Sequence, residues 1–214
     1  MAVDDRGLIQ AFPARAPAGL RNDAGTSVDW NGFPELATEE KGAGVSEQRF
    51  TVRRARTSDV PGIRALVEPL VQERILLGKD MVVFYEAVQE FRVAEDGEGA
   101  LIGCGALHVM WEDLAEVRTL AVDQAWLGHG VGHALLDRLE ADARELGLSR
   151  LFCLTFEVPF FVRHGFEDMG TETVDPSVYA ELVRSPDEGV AEFLDLARVK
   201  PNTLGNTRMV KRLI

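Results

Sequence analysis

The sequence predicts a single mixed, mostly antiparallel β-sheet flanked by helices, an α/β or α+β architecture, and three observations carry that prediction. Strand-like and helix-like apolar patterns alternate from Phe50 onward, and three strand-like runs follow one another between residues 90 and 122. The glycine-rich stretch Gly128-His-Gly-Val-Gly132 then stands between a strand and an amphipathic helix.

In chain order, Phe50-Thr-Val-Arg-Arg-Ala55 reads as a strand, and Thr57-Ser-Asp-Val-Pro61 as a helix start before Ile63, Leu66 and Val67. A second helix is expected over residues 82–89. Strands over 90–95, 100–110 and 114–122 follow, joined at Asp96-Gly-Glu-Gly99 and Trp111-Glu-Asp113, which makes an antiparallel meander. Val131, Leu135 and Leu139 recur every four residues on the next helix, which ends at Leu146-Gly147, where glycine can take a left-handed cap. A strand over 148–156, a short helix near 160–163 and a turn at His164-Gly-Phe166 lead into another strand. Helices over 176–184 and 189–196 and a last strand over 207–213 complete the body.

Residues 1–47 differ in texture, with Pro13, Pro17 and Pro34 among aromatic and aliphatic residues at no helical or strand period. They are expected to form a flexible tail ahead of a catalytic domain at 48–214, or else an arm that packs on a partner subunit through Trp30 and Phe33. The chain of 214 residues is 46% hydrophobic and 27% charged, enough for one sizeable core. Its 23 basic and 35 acidic residues leave a net charge of -12, which repels nucleic acid and anionic membrane but does not exclude a small anionic ligand held by a few donors. Cys104 and Cys153 both lie in apolar runs and are expected to be buried thiols. No apolar run approaches the ~18 residues of a membrane span and no secretory leader is evident, so a cytoplasmic location is expected.

The glycine turn carries the first chemical signal. Glycines at a strand-to-helix junction expose backbone N–H groups along the positive end of the helix dipole, an arrangement that holds a pyrophosphate. The spacing is not Gly-x-Gly-x-x-Gly, and no Lys-Ser/Thr follows, which argues against a dinucleotide fingerprint and a nucleotidase phosphate loop. His129 and His133, four apart, have no evident third ligand, and no metal is expected. Upstream, period-two alternation places Glu116, Arg118, Leu120 and Val122 on one strand face. Glu116 there is either a surface residue paired with Arg118 or a partly desolvated base.

Taken with Glu116-Val-Arg-Thr-Leu-Ala-Val122 before the turn and Phe160-Phe-Val-Arg-His-Gly-Phe166 after it, this region resembles the GNAT acetyltransferase superfamily. The resemblance implies acetyl-CoA as co-substrate, a strand that splays from its neighbour, and main-chain groups of Leu120, Ala121 and Val122 along the pantetheine arm. It also implies that Gly128, His129, Gly130, Val131, Gly132, His133 and Ala134 hold the pyrophosphate, that Glu116 is the base, and that the N–H of Val122 polarises the thioester carbonyl. Two departures stand out. Leu127 occupies a position where the family often has Arg or Gln, and Phe161 one where many members carry a tyrosine acid.

Over residues 52–214, segments such as Phe84-Tyr-Glu-Ala-Val-Gln-Glu-Phe91 and Lys200-Pro-Asn-Thr-Leu-Gly-Asn-Thr-Arg-Met209 narrow the resemblance to the short actinobacterial N-acetylglutamate synthases. That implies L-glutamate, with tolerance for L-glutamine, as acceptor in the first step of arginine biosynthesis; a homodimer is common for the fold. A substrate with two carboxylates needs at least two cationic or amide donors, and Arg118, Lys79 and Arg208 are the candidates. Another amine acceptor, or a non-catalytic acetyl-CoA sensor, are the competing readings.

Overall fold

The structure is a computed structural model that describes residues 50–170, 174–196 and 205–213. The expected N-terminal tail, and part of the segment preceding the last strand, lie outside these residues.

Seven strands form one sheet in the order β1 (Phe50–Arg54), β2 (Phe91–Asp96), β3 (Leu101–Trp111), β4 (Leu114–Val122), β5 (Arg150–Thr155), β7 (Thr207–Arg212) and β6 (Glu167–Asp168). Every neighbouring pair is antiparallel except β4 and β5, which run parallel because α3 (Val131–Glu145) crosses over between them. The fold is therefore the mixed α+β sheet expected, with element bounds within a few residues of those read from the sequence.

Three groups of helices cover the sheet. On one face, α1 (Val60–Gln72) and α2 (Met81–Glu86) bury Val60, Ile63, Val67 and Phe84 against Val93, Cys104 and Ala106. Farther along the chain, α5 (Pro176–Leu182) and α6 (Glu188–Phe193) pack Leu182, Val190 and Phe193 on Met110, Leu114, Phe152 and Val210. On the opposite face, α3 sets Leu136, Leu139 and Ala143 against Leu107, Val117 and Leu151, with Phe160 and Phe161 of α4 (Val158–Arg163) beside them. Leu136, Leu139 and Ala143 are spaced as one apolar stripe of a 3.6-residue helix.

Beyond its apolar stripe, α3 is tied to strands on both sides of the sheet's centre. Arg92 of β2 makes two hydrogen bonds of 2.5 Å to Asp142, and Lys211 of β7 donates to Glu140 at 2.5 Å. Arg92, Asp142 and Glu140 are buried, so these pairs are shielded from competing water.

Candidate active site

One irregularity in β4 reorganises the expected site. Thr119 has φ 58°, and the β3 pairing jumps from Ala106 opposite Arg118 to Cys104 opposite Ala121, so Gly105 alone faces both Thr119 and Leu120. An extra residue inverts the alternation beyond it. Glu116, Arg118 and Ala121 therefore share the α1–α2 face, while Val117, Leu120 and Val122 pack toward α3. The expectation that Glu116, Arg118, Leu120 and Val122 share a face holds for the first two residues and fails for the others. A left-handed threonine is rare and strained, which is why simple period counting misses it.

The same region opens the sheet. Pairing between β4 and β5 stops after Leu114–Arg150, Ala115–Leu151 and Glu116–Phe152, and beyond it the strands part. The gap is a small cavity of about 60 Å³ bordered by Val117, Thr119, Leu120, Leu154 and Phe161. Amide directions alternate along a strand. Since Asp123 N–H donates to the Ile102 carbonyl of β3 at 2.8 Å, the N–H groups of Val122 and Leu120 point the other way, into the gap.

Beside that gap, on the α1–α2 face, lies a cavity of about 440 Å³ bounded by the α1–α2 connection, β4 and the start of α6. Lys79, Glu116, Arg118, Asp187, Gly189 and Asn206 are among its walls. Glu116 is 6% exposed, and its Oε2 is buried without a hydrogen bond among the described residues. Burial pushes its carboxyl from the ordinary 4.5 up to about 7; Asp187 adds to the rise, and Arg118, Lys79 and His108 oppose it. It is thus neither a surface residue nor a fully compensated ion pair, since the nearest Arg118 nitrogen stands 3.6 Å away.

Arg118 is engaged elsewhere. Its guanidinium donates to Asp187 at 2.8 Å and to Glu90 at 3.1 Å, and His108 Nδ1 lies 2.8 Å from Glu90 with Nε2 3.7 Å from Asp187. These four side chains close a ring in which Arg118 is raised despite its burial, because Glu116, Asp187 and Glu90 surround it. Lys79 contrasts with this. Its ammonium is lowered first by burial and then by Arg118, and it has no ion-pair partner within 4.0 Å among the described residues.

At the glycine turn, Gly128 and Gly130 have φ 78° and 82°, and Gly130 is the N-cap of α3. Both conformations suit glycine, and the first-turn N–H groups from Val131 onward lack intrahelical acceptors. The histidines are less available than expected for phosphate. His129 Nδ1 lies 3.0 Å from the Leu127 carbonyl, so that nitrogen carries the proton and donates. The His133 ring sits against His164, 2.6 Å from Nδ1 to Nε2, and against Phe160.

Of the three expected substrate cations, Lys79 and Arg118 line the cavity, whereas Arg208 is not among its walls and has Asp195 at 4.0 Å. Sequence reading missed Glu90, His108, Asp187, Gly189 and Asn206. His108 was legible in part, since pairing the meander's second and third strands sets it opposite Glu116. Asp187 carried an N-cap signal, and its side chain does accept from Val190 N–H. Glu90, Gly189 and Asn206 gave no such sign.

The acetyltransferase (GNAT) family model matches residues 68–166. An amino-acid acetyltransferase from Mycobacterium tuberculosis is 58% identical over 164 residues, which cover 76% of this chain and 94% of that protein. A solved Mycobacterium tuberculosis structure, in complex with CoA and a second ligand, superposes with TM-score 0.74 at 57% identity over 77% of this chain and 99% of that one. N-acetylglutamate synthase from Neisseria gonorrhoeae, complexed with coenzyme A and N-acetyl-glutamate, gives TM-score 0.60 at 28% identity; the match covers 78% of this chain and 35% of that longer one. The chain belongs to the GNAT family of acetyltransferases, and acetyl-CoA is its co-substrate. The parted strands, the inward amides and the glycine-capped start of α3 fit that co-substrate. Among the described residues no cluster of three or more His, Cys, Asp or Glu is placed to hold a metal, and no helix is long and apolar enough to cross a membrane.

Proposed function

We propose that this chain acetylates the α-amine of L-glutamate, the first step of arginine biosynthesis, with Glu116 as general base. The observation that carries the proposal is the buried Glu116 carboxyl, its Oε2 without a hydrogen bond and its affinity raised to about 7, on the wall of the larger cavity beside the parted strands. Support for an amino-acid acceptor comes from the Mycobacterium tuberculosis relative, and for glutamate from the Neisseria gonorrhoeae synthase.

In this reading, ionised Glu116 takes a proton from the substrate ammonium, directly or through a water, and frees the nitrogen lone pair. The nitrogen–carbon bond forms, the carbon–sulfur bond breaks, and the thiolate of CoA leaves, taking up the second proton that the nitrogen loses as the amide forms. A thiol of ordinary pKa, ~8.5, leaves without a strong acid, which agrees with Phe161 standing where many members carry tyrosine. The amide that polarises the thioester carbonyl must lie near Glu116. At roughly 3.3 Å per residue, Val122 is about 20 Å along the strand from Glu116 and Leu120 about 13 Å, so Leu120 is the nearer of the two amides that face the gap. We therefore assign the polarising N–H to Leu120 and leave Val122 to the pantetheine arm.

Lys79 takes a substrate carboxylate, because Arg118 would have to release Asp187 or Glu90 to do so. Asn206, whose Oδ1 is buried without a hydrogen bond among the described residues, supplies a second polar contact by accepting from a substrate N–H. A second reading, L-glutamine as acceptor, is favoured by the excess of Asp80, Glu116, Asp187, Glu188 and Glu192 over Lys79 and Arg118 around the cavity, since a neutral side chain meets less repulsion there. Initial rates of CoA release with each amino acid at equal concentration decide between them. No turnover of either at millimolar concentration sinks the amino-acid reading.

A further inference from the structure

Gly189 lies in the first turn of α6, and nothing in its backbone calls for glycine, since its φ is not among the positive values. Glycine inside a helix is unfavourable compared with alanine. What surrounds it supplies the reason. A Cβ built on Gly189 would fall 2.0 Å from Glu116 Oε2, 2.7 Å from Cδ and 3.0 Å from Oε1. All three nearest atoms belong to one carboxylate.

We propose that Gly189 is a positioning residue for the base: its missing side chain is the niche that holds the Glu116 carboxylate buried against α6, where it meets the substrate amine. The inference rests on the assignment of Glu116 as base and extends it to a second element. Asp187, two residues earlier, holds Arg118 at 2.8 Å, so one short segment sets both catalytic-strand side chains. The carboxylate is the end of a flexible side chain, so a methyl group at position 189 displaces it by rotation rather than unfolding the helix.

The test compares G189A, E116A and the double variant for kcat/KM between pH 5.5 and 9, together with thermal unfolding. G189A is expected to fold, to lose at least tenfold in kcat/KM at pH 7, and to move the acid limb of its profile down from about 7, because the carboxyl leaves the burial that raised it. In the E116A background the same change is expected to lower activity less than twofold and to raise the unfolding midpoint, since alanine then has room in the helix. G189A within twofold of wild type with an unmoved acid limb overturns the proposal while leaving Glu116 as base. An equal loss in both backgrounds also overturns it, because Gly189 would then act otherwise than through Glu116. If E116A alone keeps wild-type activity, the base assignment fails and the proposal with it.

Discussion

Replacing Glu116 by glutamine tests the mechanism and the energetics of the site together. The substitution keeps size and removes both the charge and the proton-accepting capacity. A general base contributes about 10²–10⁴-fold, so kcat/KM at pH 8 should fall by that range. In wild type, only the ionised carboxylate accepts a proton, so activity should drop roughly tenfold per pH unit below about 7, and E116Q should lose that limb. Stability changes in the opposite sense. The folded-state carboxyl titrates at about 7 against an ordinary 4.5. Its contribution to stability is therefore fully present below the unfolded value and is lost as pH rises through the folded one, because the unfolded chain releases its proton first. The total loss is roughly 3 kcal/mol by pH 8. E116Q should not show this loss, so its unfolding free energy should fall less than that of wild type between pH 5 and pH 8. Rates of CoA release from pH 5.5 to 9 and denaturant unfolding at the two pH values measure both effects. An E116Q enzyme within threefold of wild type that retains the acid limb would refute the assignment.

Three further outcomes follow from neighbouring groups. K79M should raise KM for the amino acid about tenfold or more with little change in KM for acetyl-CoA, measured by varying each substrate in turn, because the cavity loses its one ammonium without an ion-pair partner among the described residues. G130A should do the reverse, raising KM for acetyl-CoA, and should cost about 1–2 kcal/mol in denaturant unfolding because φ 82° is a left-handed conformation that alanine resists. R92M should leave kcat at 25 °C unchanged and lower stability by about 2 kcal/mol, a fall of several degrees in Tm by scanning calorimetry, because Asp142 keeps only Arg138 of its two arginine partners.

Much of the fold could be read residue by residue because it rests on local periodicity. The stripe Val131, Leu135 and Leu139 announced α3, and Gly147, with φ 80°, ends it as expected. The alternation along residues 114–118 placed Glu116 beside Arg118, and the structure keeps them together. The resemblance carried the co-substrate and the family, since the glycine turn and the strand before it are contiguous in sequence.

Tertiary structure decided what depends on distant partners or on a single unusual backbone angle. Composition could not tell a paired Glu116 from a desolvated one, because burial comes from α6, some seventy residues later, and from Gly189 in particular. Nor could it show that Arg118 is committed to Asp187 and Glu90, which reach it from α6 and from the start of the meander. The bulge at Thr119 was invisible to a period-two count, since one positive φ costs little in sequence terms yet reverses every side chain beyond it. Local pattern determined the sheet, the helix after the glycine turn and the placing of Glu116 beside Arg118. Which way that acid faces, how hard it holds a proton and which neighbouring cation is left without an ion-pair partner among the described residues are set by packing across the fold, where burial and charge act between residues that no spacing rule connects.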